Sequence, residues 1–354
     1  MSASVVIAAT RAESPGAAMT IAGLTVIDRA LKQLAMSPET RVVIVGDGSI
    51  ALPSPLPANV EVRAVAADAA VAAVAETARE LGAHVVGADV VRVDRARFDG
   101  GLRVVDEPGR RLAEDAVFAA LYRPDLGFVA RRLNKPISVR LTRYVLVRTA
   151  ITPNQITLFA AVLGIAGCGL VASGHFAAIC LGFVLEQLQS ILDGCDGELA
   201  RVRFAQSKLG AWLDTFVDDV LNVLMTVATG VGLHRAGAGS WAVAVGFAGA
   251  AMLVLSNLII MRDMRRQKAS GDLMDMVWWF SGGRRLAELS GGGGKPSIAS
   301  ILFQLGRRDS AIFLWLLFAL SGWLVLVLMM AVVIALCWFV ASVVQLVTAP
   351  VAPA

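Results

Sequence analysis

Four carboxylates, Asp193, Asp196, Asp214 and Asp218, stand in the stretch DGCDGELARVRFAQSKLGAWLDTFVDD, residues 193–219, on segments otherwise apolar enough to lie in a membrane. An ionisable group in that setting is costly and so marks a functional site. On helices, spacings of three and four put Asp193 with Asp196 on one face and Asp214 with Asp218 on one face, so two facing helices can converge all four on one point. Converged carboxylates need a cation. Hard oxygen ligands without a Cys/His cluster suit Mg²⁺, Mn²⁺ or Ca²⁺ rather than Zn²⁺. Reading the acids as solvated loop residues paired with Arg201, Arg203 and Lys208 leaves their helical recurrence beside small residues unexplained. Asp219 lies off the face shared by Asp214 and Asp218, and its role stays open between packing, solvation and ligation.

Small residues are interleaved with the acids. Gly197 and Ala200 follow Asp196, and Gly210 lies one turn before Asp214, which keeps both helix faces open to close approach. Arg201 follows on the first helix, where a guanidinium suits a phosphate held at a metal. The stretch fits D-x2-D-G-x2-A-R-x8-G-x3-D-x3-D at all eight specified positions. It resembles the signature of the CDP-alcohol phosphotransferase (CDP-alcohol phosphatidyltransferase) family of integral membrane enzymes.

That resemblance implies transfer of a phospho-alcohol from a CDP-alcohol to an acceptor hydroxyl, with CMP leaving and Mg²⁺ or Mn²⁺ required. It makes Asp193, Asp196 and Asp214 metal ligands and Asp218 a ligand neighbour that acts as general base. Gly197, Ala200, Arg201 and Gly210 then shape the CDP-alcohol pocket. The wording SILDGCDGELAR, with Glu198 after the glycine, looks like the branch that makes inositol-phosphate products, so the expected acceptor is a phosphorylated polyol. Two other classes would also place carboxylates in a membrane: a metal-ion transporter, and a non-catalytic scaffold, which would need none of the eight motif positions.

Composition sets the frame for these positions. The chain has 354 residues, 56% of them hydrophobic, and a mean hydropathy of +0.68, which indicates a membrane protein with a soluble part. No basic stretch followed by a long apolar run opens the sequence, so the expectation is no cleaved signal peptide and a cytoplasmic N-terminus. Cys168, Cys180, Cys195 and Cys337 fall in apolar segments without ligand spacing and read as small buried residues. The net charge of +4 is modest, but its basic residues cluster beside the apolar segments. Membrane lipids and phosphate substrates are the expected partners, with no nucleic acid; a homodimer is left open.

Residues 1–126 alternate β-branched runs with Ala-rich amphipathic ones, which predicts an α/β domain with a mostly parallel sheet. Strands are expected at SVVIAA from Ser4, RVVIVG from Arg41, near Val60 and at HVVGAD ending at Asp89, with helices at Thr25–Ala35 and Asp68–Leu81. The order resembles the start of nucleotidyltransferases that load an NTP onto a sugar phosphate. The loop ATRAESPGAAM departs from that pattern, because it carries one glycine, Gly16, where a triphosphate needs several amides. The domain is therefore read as degenerate, and the alternative is an active cytidylyltransferase in a bifunctional enzyme.

Residues 127–152 carry Arg131, Arg132, Lys135, Arg140, Arg143 and Arg148 among spaced apolar residues, which predicts an amphipathic juxtamembrane helix. Thr152-Pro153-Asn154-Gln155 then reads as a capped helix start. In residues 153–354 six apolar runs predict an all-α, six-helix transmembrane domain. Lys/Arg-rich loops on one side place both termini and the Asp cluster at the cytoplasmic side of the inner membrane. The fifth run, ending near Leu320, reaches spanning length only if extended backwards through Gly306–Asp309. Arg262, Arg307 and Arg308 then lie at cytoplasmic helix ends, either snorkelling or binding an acceptor phosphate.

Overall fold

A computed structural model of the chain describes residues 4–348, except 10–18, 23, 36–40, 47–49, 51, 53–55, 57–59, 65–69, 82–83, 88–89, 92–101, 104–105, 123–125, 268–275 and 280–307. Most of the loop ATRAESPGAAM, Asp89, the glycines 291–294 and Arg307 lie outside the described residues. The chain divides into two compact units. One comprises Met1–Leu121, Arg143–Ala150 and Leu199–Ala205, the other Tyr122–Thr142, Ile151–Glu198 and Gln206–Ala354.

In the first unit β1 (Ser4–Ala9), β4 (Arg41–Gly46), β5 (Val60–Ala64) and β6 (His84–Gly87) form a parallel sheet in the order β5-β4-β1-β6. Short antiparallel pairs, β2 (Thr20–Ile21) with β3 (Leu24–Thr25) and β7 (Val90–Val91) with β8 (Leu102–Arg103), complete the strands described. The run VVIV of β4 is apolar throughout because both its faces are covered. Val42 and Ile44 pack with Ile27 and Leu31 of α1 (Val26–Ala35), while Val43 and Val45 pack with Val74 of α2 (Ala70–Leu81). Strand order reverses at β1, the position at which open α/β sheets bind ligands beyond the strand ends.

The same unit holds α3 (Glu107–Ala119), capped by the Asp106 carboxylate, which accepts from Gly109 N–H at 2.8 Å. Arg143 pairs with Asp115 at 2.6 Å and stacks over Phe118. Arg203 donates through Nη2 to the carbonyls of Leu146, Val147 and Thr149 at 3.0, 3.3 and 2.5 Å, closing the end of a 3₁₀ turn at Leu146–Arg148. Phe204, with φ of 54°, sits 5.5 Å beneath the Arg29 guanidinium. Burial pushes Arg29 down to about 10, and its Nη2 donates to the Ile21 carbonyl at 3.0 Å.

The second unit is helical. A π-helical turn at Ala130–Asn134 leads into α4 (Lys135–Tyr144). The bundle follows as α5 (Pro153–Ala172), α6 (Phe176–Val202), α7 (Lys208–Leu233), α8 (Trp241–Arg266), α9 (Arg308–Leu320) and α10 (Leu324–Thr348). α5 opens on a capping box in which Thr152 and Gln155 bond reciprocally. α7 packs between α5 and α8, and α8 packs on α10. Glycine makes the closest approaches: a Cβ on Gly167 of α5 would lie 2.8 Å from the Gly182 carbonyl oxygen of α6.

Among the described residues, five helices, α5, α6, α7, α8 and α10, are long and apolar enough to cross a membrane. The expected fifth of six spans corresponds to α9, whose 13 residues extend about 20 Å at 1.5 Å per residue, against a hydrocarbon core of about 30 Å. α9 nevertheless belongs to the bundle. Its Ala311, Ile312 and Trp315 join a buried cluster with Val171, Phe183, Met225, Leu324 and Leu328, and this fixes where its first residue, Arg308, emerges.

α4 and the π-helical turn before it bury a polar face. Asn134, Lys135, Ser138 and Thr142 are buried, while Phe128, Ile137 and Tyr144 are exposed. Its partner is α6: Glu198 accepts from Lys135 Nζ at 2.8 Å, Ser138 Oγ at 2.5 Å and Thr142 Oγ1 at 2.7 Å. Asn134 donates to Ser190 Oγ at 3.2 Å and accepts from Gln187 Nε2 at 2.7 Å. Trp278 is buried against Trp338, whereas Trp279 is exposed.

Candidate metal centre and active site

Asp193 near the end of α6 and Asp214 and Asp218 on successive turns of α7 meet. One carboxylate oxygen from each lies within 4.8 Å of the other two. The helices are held for this by the Ser207 cap, whose Oγ accepts from Gly210 N–H at 2.9 Å and starts α7 one turn before Asp214. Asp196 is buried on the same turn of α6 as Asp193 but stands outside that close group, with its carboxylate accepting from Thr157 Oγ1 of α5.

The close group fits a hard divalent cation. Asp193 is within hydrogen-bonding reach of both Asp214 and Asp218, so like charges crowd. The Oδ1 atoms of all three are buried without a hydrogen-bond partner among the described residues. Oxygen-only donors at this separation suit Mg²⁺, Mn²⁺ or Ca²⁺ and offer nothing to a soft metal.

The arginines separate. Arg308 enters the cluster: Nη1 lies 2.6 Å from Asp218 Oδ2 and 3.7 Å from Asp193 Oδ2, and Nη2 donates to Gln189 Oε1 at 2.9 Å. Arg262 is exposed on the last turns of α8, and no ion pair joins it to these carboxylates among the described residues. Gly197 continues the Asp-bearing face of α6, and Ala200 and Arg201 form that helix's last turn. A Cβ on Gly210 would approach Ser207 Oγ at 3.0 Å and Asn154 Oδ1 at 3.2 Å, so glycine there keeps the α5–α7 entrance tight.

Three participants are absent from the motif. Thr157 orients Asp196; its signal is its place one turn after the Thr152 cap. Gln189 receives Arg308, and Glu186 lies a turn earlier, fully buried. Both are polar residues at helical spacing from Asp193 in an apolar run.

Residues 150–281 match the family model of CDP-alcohol phosphatidyltransferase, and the chain carries a domain of that family in a multi-pass membrane protein. Curated relatives named bifunctional IPC transferase and DIPP synthase are similar in part. The Aquifex aeolicus protein is 28% identical over 206 residues, 56% of this chain and 39% of its own length. The Rubrobacter xylanophilus protein is 36% identical over 140 residues, 39% of this chain and 31% of its own length. The protein from Archaeoglobus fulgidus is 36% identical over 118 residues, 33% of this chain and 23% of its own length. The chain thus spans well under half the length of the curated relatives it matches.

Proposed function

We propose that the protein is an integral membrane phosphotransferase that moves a phospho-alcohol from a CDP-alcohol to an acceptor hydroxyl and releases CMP. The observation that carries this reading is the convergence of Asp193, Asp214 and Asp218 from two helices inside the segment that matches the family. The donor is of the CDP-diacylglycerol or CDP-inositol type, and the acceptor is a phosphorylated polyol. The relatives' names support the inositol-phosphate branch. A bound Mg²⁺ or Mn²⁺ ion would supply charge neutralisation to the diphosphate and to the departing CMP.

This chain's own residues do the rest. Asp193, Asp214 and Asp218, with Asp196 on the same turn as Asp193, would hold the ion, and Gly197, Ala200, Arg201 and Gly210 shape the CDP-alcohol pocket. Asp218 takes the acceptor proton as the new O–P bond forms and the bond to CMP breaks. Arg308 receives the acceptor phosphate, exchanging Asp218 for it. Purified protein in lipid nanodiscs, given Mn²⁺, a CDP-alcohol and a panel of inositol and glycerol phosphates, should release CMP with a matching phosphodiester. Metal flux through vesicles without CMP formation would favour a transporter instead.

Replacing Arg308 by Ala should raise the acceptor KM by an amount equivalent to about 1.5–3 kcal/mol, the range for a hydrogen bond to a charged group, with a smaller effect on the CDP-alcohol KM. Equal effects on both substrates would leave Arg308 a helix anchor.

For topology, we assign α9 to a sixth crossing, with both termini and the Asp cluster at the cytoplasmic face of the inner membrane. A reporter fused after Ala354 should then read cytoplasmic. A reading on the opposite side would favour the five longer helices as the only crossings. The order of the parallel sheet supports a nucleotidyltransferase-like fold for residues 1–126, and the single glycine of the loop after β1 supports a domain without nucleotidyl transfer.

A further inference from the structure

Polar atoms remain on α6 deeper than the metal-ligating aspartates. Glu186 and Gln189 precede Asp193 by two turns and one turn, so the three share a helix face. Glu186 and Gln189 are both fully buried. Gln189 spends its Oε1 on Arg308, but its Nε2 has no partner, and neither has either Glu186 carboxylate oxygen or Arg308 Nε, among the described residues. Glu186 lies within electrostatic reach of Arg308 and Asp218. Buried polar atoms in native proteins are nearly all satisfied, and an unmet carboxylate inside an apolar bundle costs several times an ordinary hydrogen bond.

The set of unused atoms says what would satisfy it. A carboxylate offers acceptors only, an amide NH₂ and a guanidinium Nε–H offer donors, and all belong to one neighbourhood. A phosphate has nothing to give Glu186 and is repelled by it. A second cation would find one carboxylate and an amide whose oxygen is already taken, which is too few ligands. A structural ion pair would place Glu186 on Arg308, yet the Arg308 Nη atoms go to Asp218, Asp193 and Gln189. Hydroxyl groups donate and accept at once, so a ligand bearing several of them meets both needs.

We propose that Glu186 and Gln189 form a hydroxyl-recognising subsite for the polyol part of the acceptor, beside the phosphate-binding Arg308. The subsite rests on the transferase reading above. Glu186 accepts from ring or chain hydroxyls, Gln189 Nε2 donates to a neighbouring one, and together they decide which phosphorylated alcohol is used.

The test compares the full chain and its Glu186→Gln variant in nanodiscs, using inositol 1-phosphate and glycerol 3-phosphate as acceptors and inorganic phosphate as a competitive inhibitor. Losing a hydrogen bond to a charged group should raise the inositol phosphate KM roughly ten- to hundredfold, with a smaller rise for the less hydroxylated glycerol phosphate. The inhibition constant of inorganic phosphate and the CDP-alcohol KM should stay within about twofold of the parent values. Gln189→Met should act in the same direction. A parallel loss for inorganic phosphate would mean that Glu186 acts only through Arg308, and unchanged constants would mean that internal water or a proton satisfies it; either overturns the subsite. If the parent protein releases no CMP from any CDP-alcohol, the transferase reading fails separately. Calorimetry then decides the subsite alone: it stands only if inositol phosphate binds more tightly than inorganic phosphate and loses that advantage in Glu186→Gln.

Discussion

Asp218→Asn should lower turnover by roughly a hundred- to ten-thousandfold, the usual loss of a general base, while CDP-alcohol affinity at saturating metal stays near that of the parent and metal affinity falls less than in Asp193→Asn. Asparagine keeps the shape and one acceptor oxygen but cannot take a proton. Asp218 is one of the three close carboxylates, with Oδ2 on Arg308 and Oδ1 buried without a hydrogen-bond partner among the described residues, so Oδ1 is the oxygen open to an acceptor hydroxyl. Asp193→Asn should instead weaken metal binding, because a neutral amide is a poorer ligand for a hard cation. Mn²⁺ titration of each variant, with CDP-alcohol affinity taken at saturating metal, separates the two roles. Should Asp218→Asn lose metal as badly as Asp193→Asn, or keep near-normal turnover, the base assignment is wrong.

The second large effect is on stability. Glu198 is completely buried and takes three side-chain hydrogen bonds from one helix, including that of the Lys135 ammonium at 2.8 Å. Glu198→Ala leaves a buried ammonium without its carboxylate, a change that costs about 3–5 kcal/mol when a buried pair is broken on one side. Glu198→Gln should cost less, since an amide oxygen still accepts from Ser138 or Thr142. The double change Glu198→Leu with Lys135→Met should recover most of the loss, because it removes both charges together. Denaturant unfolding of the detergent-solubilised protein reads all three. A Glu198→Ala variant within about 1 kcal/mol of the parent would show that water reaches the pair and replaces the carboxylate.

Legibility in the sequence followed the range of the interactions involved. The four long strands and their two flanking helices were readable to within a few residues, because β-branched runs and amphipathic stretches are local signals. Convergence of Asp193 with Asp214 and Asp218 was readable because helical spacing and interleaved small residues report geometry directly. The buried side of α4 was not. Its spaced apolar residues suggested a face laid on the membrane surface, whereas its polar side and the Asn134 turn before it are buried against Glu198, Gln187 and Ser190, which lie more than fifty positions away. Arg308 and Arg262 looked equivalent at helix ends; the packing of Ile312 and Trp315 brings one of them to the site.

The position of Glu198 also has a consequence for biogenesis. Lys135 emerges from the ribosome 63 residues before the carboxylate that neutralises it, with α5 and most of α6 still to be made and inserted. Until then the polar side of α4 has water as its partner. Docking requires that α6 be already in place, with its end at the right depth to meet three donors. The element that is synthesised before every membrane crossing described here is therefore among the last to be secured, and its closure onto α6 is a late checkpoint on whether the aspartate-bearing helix has been inserted to the correct depth.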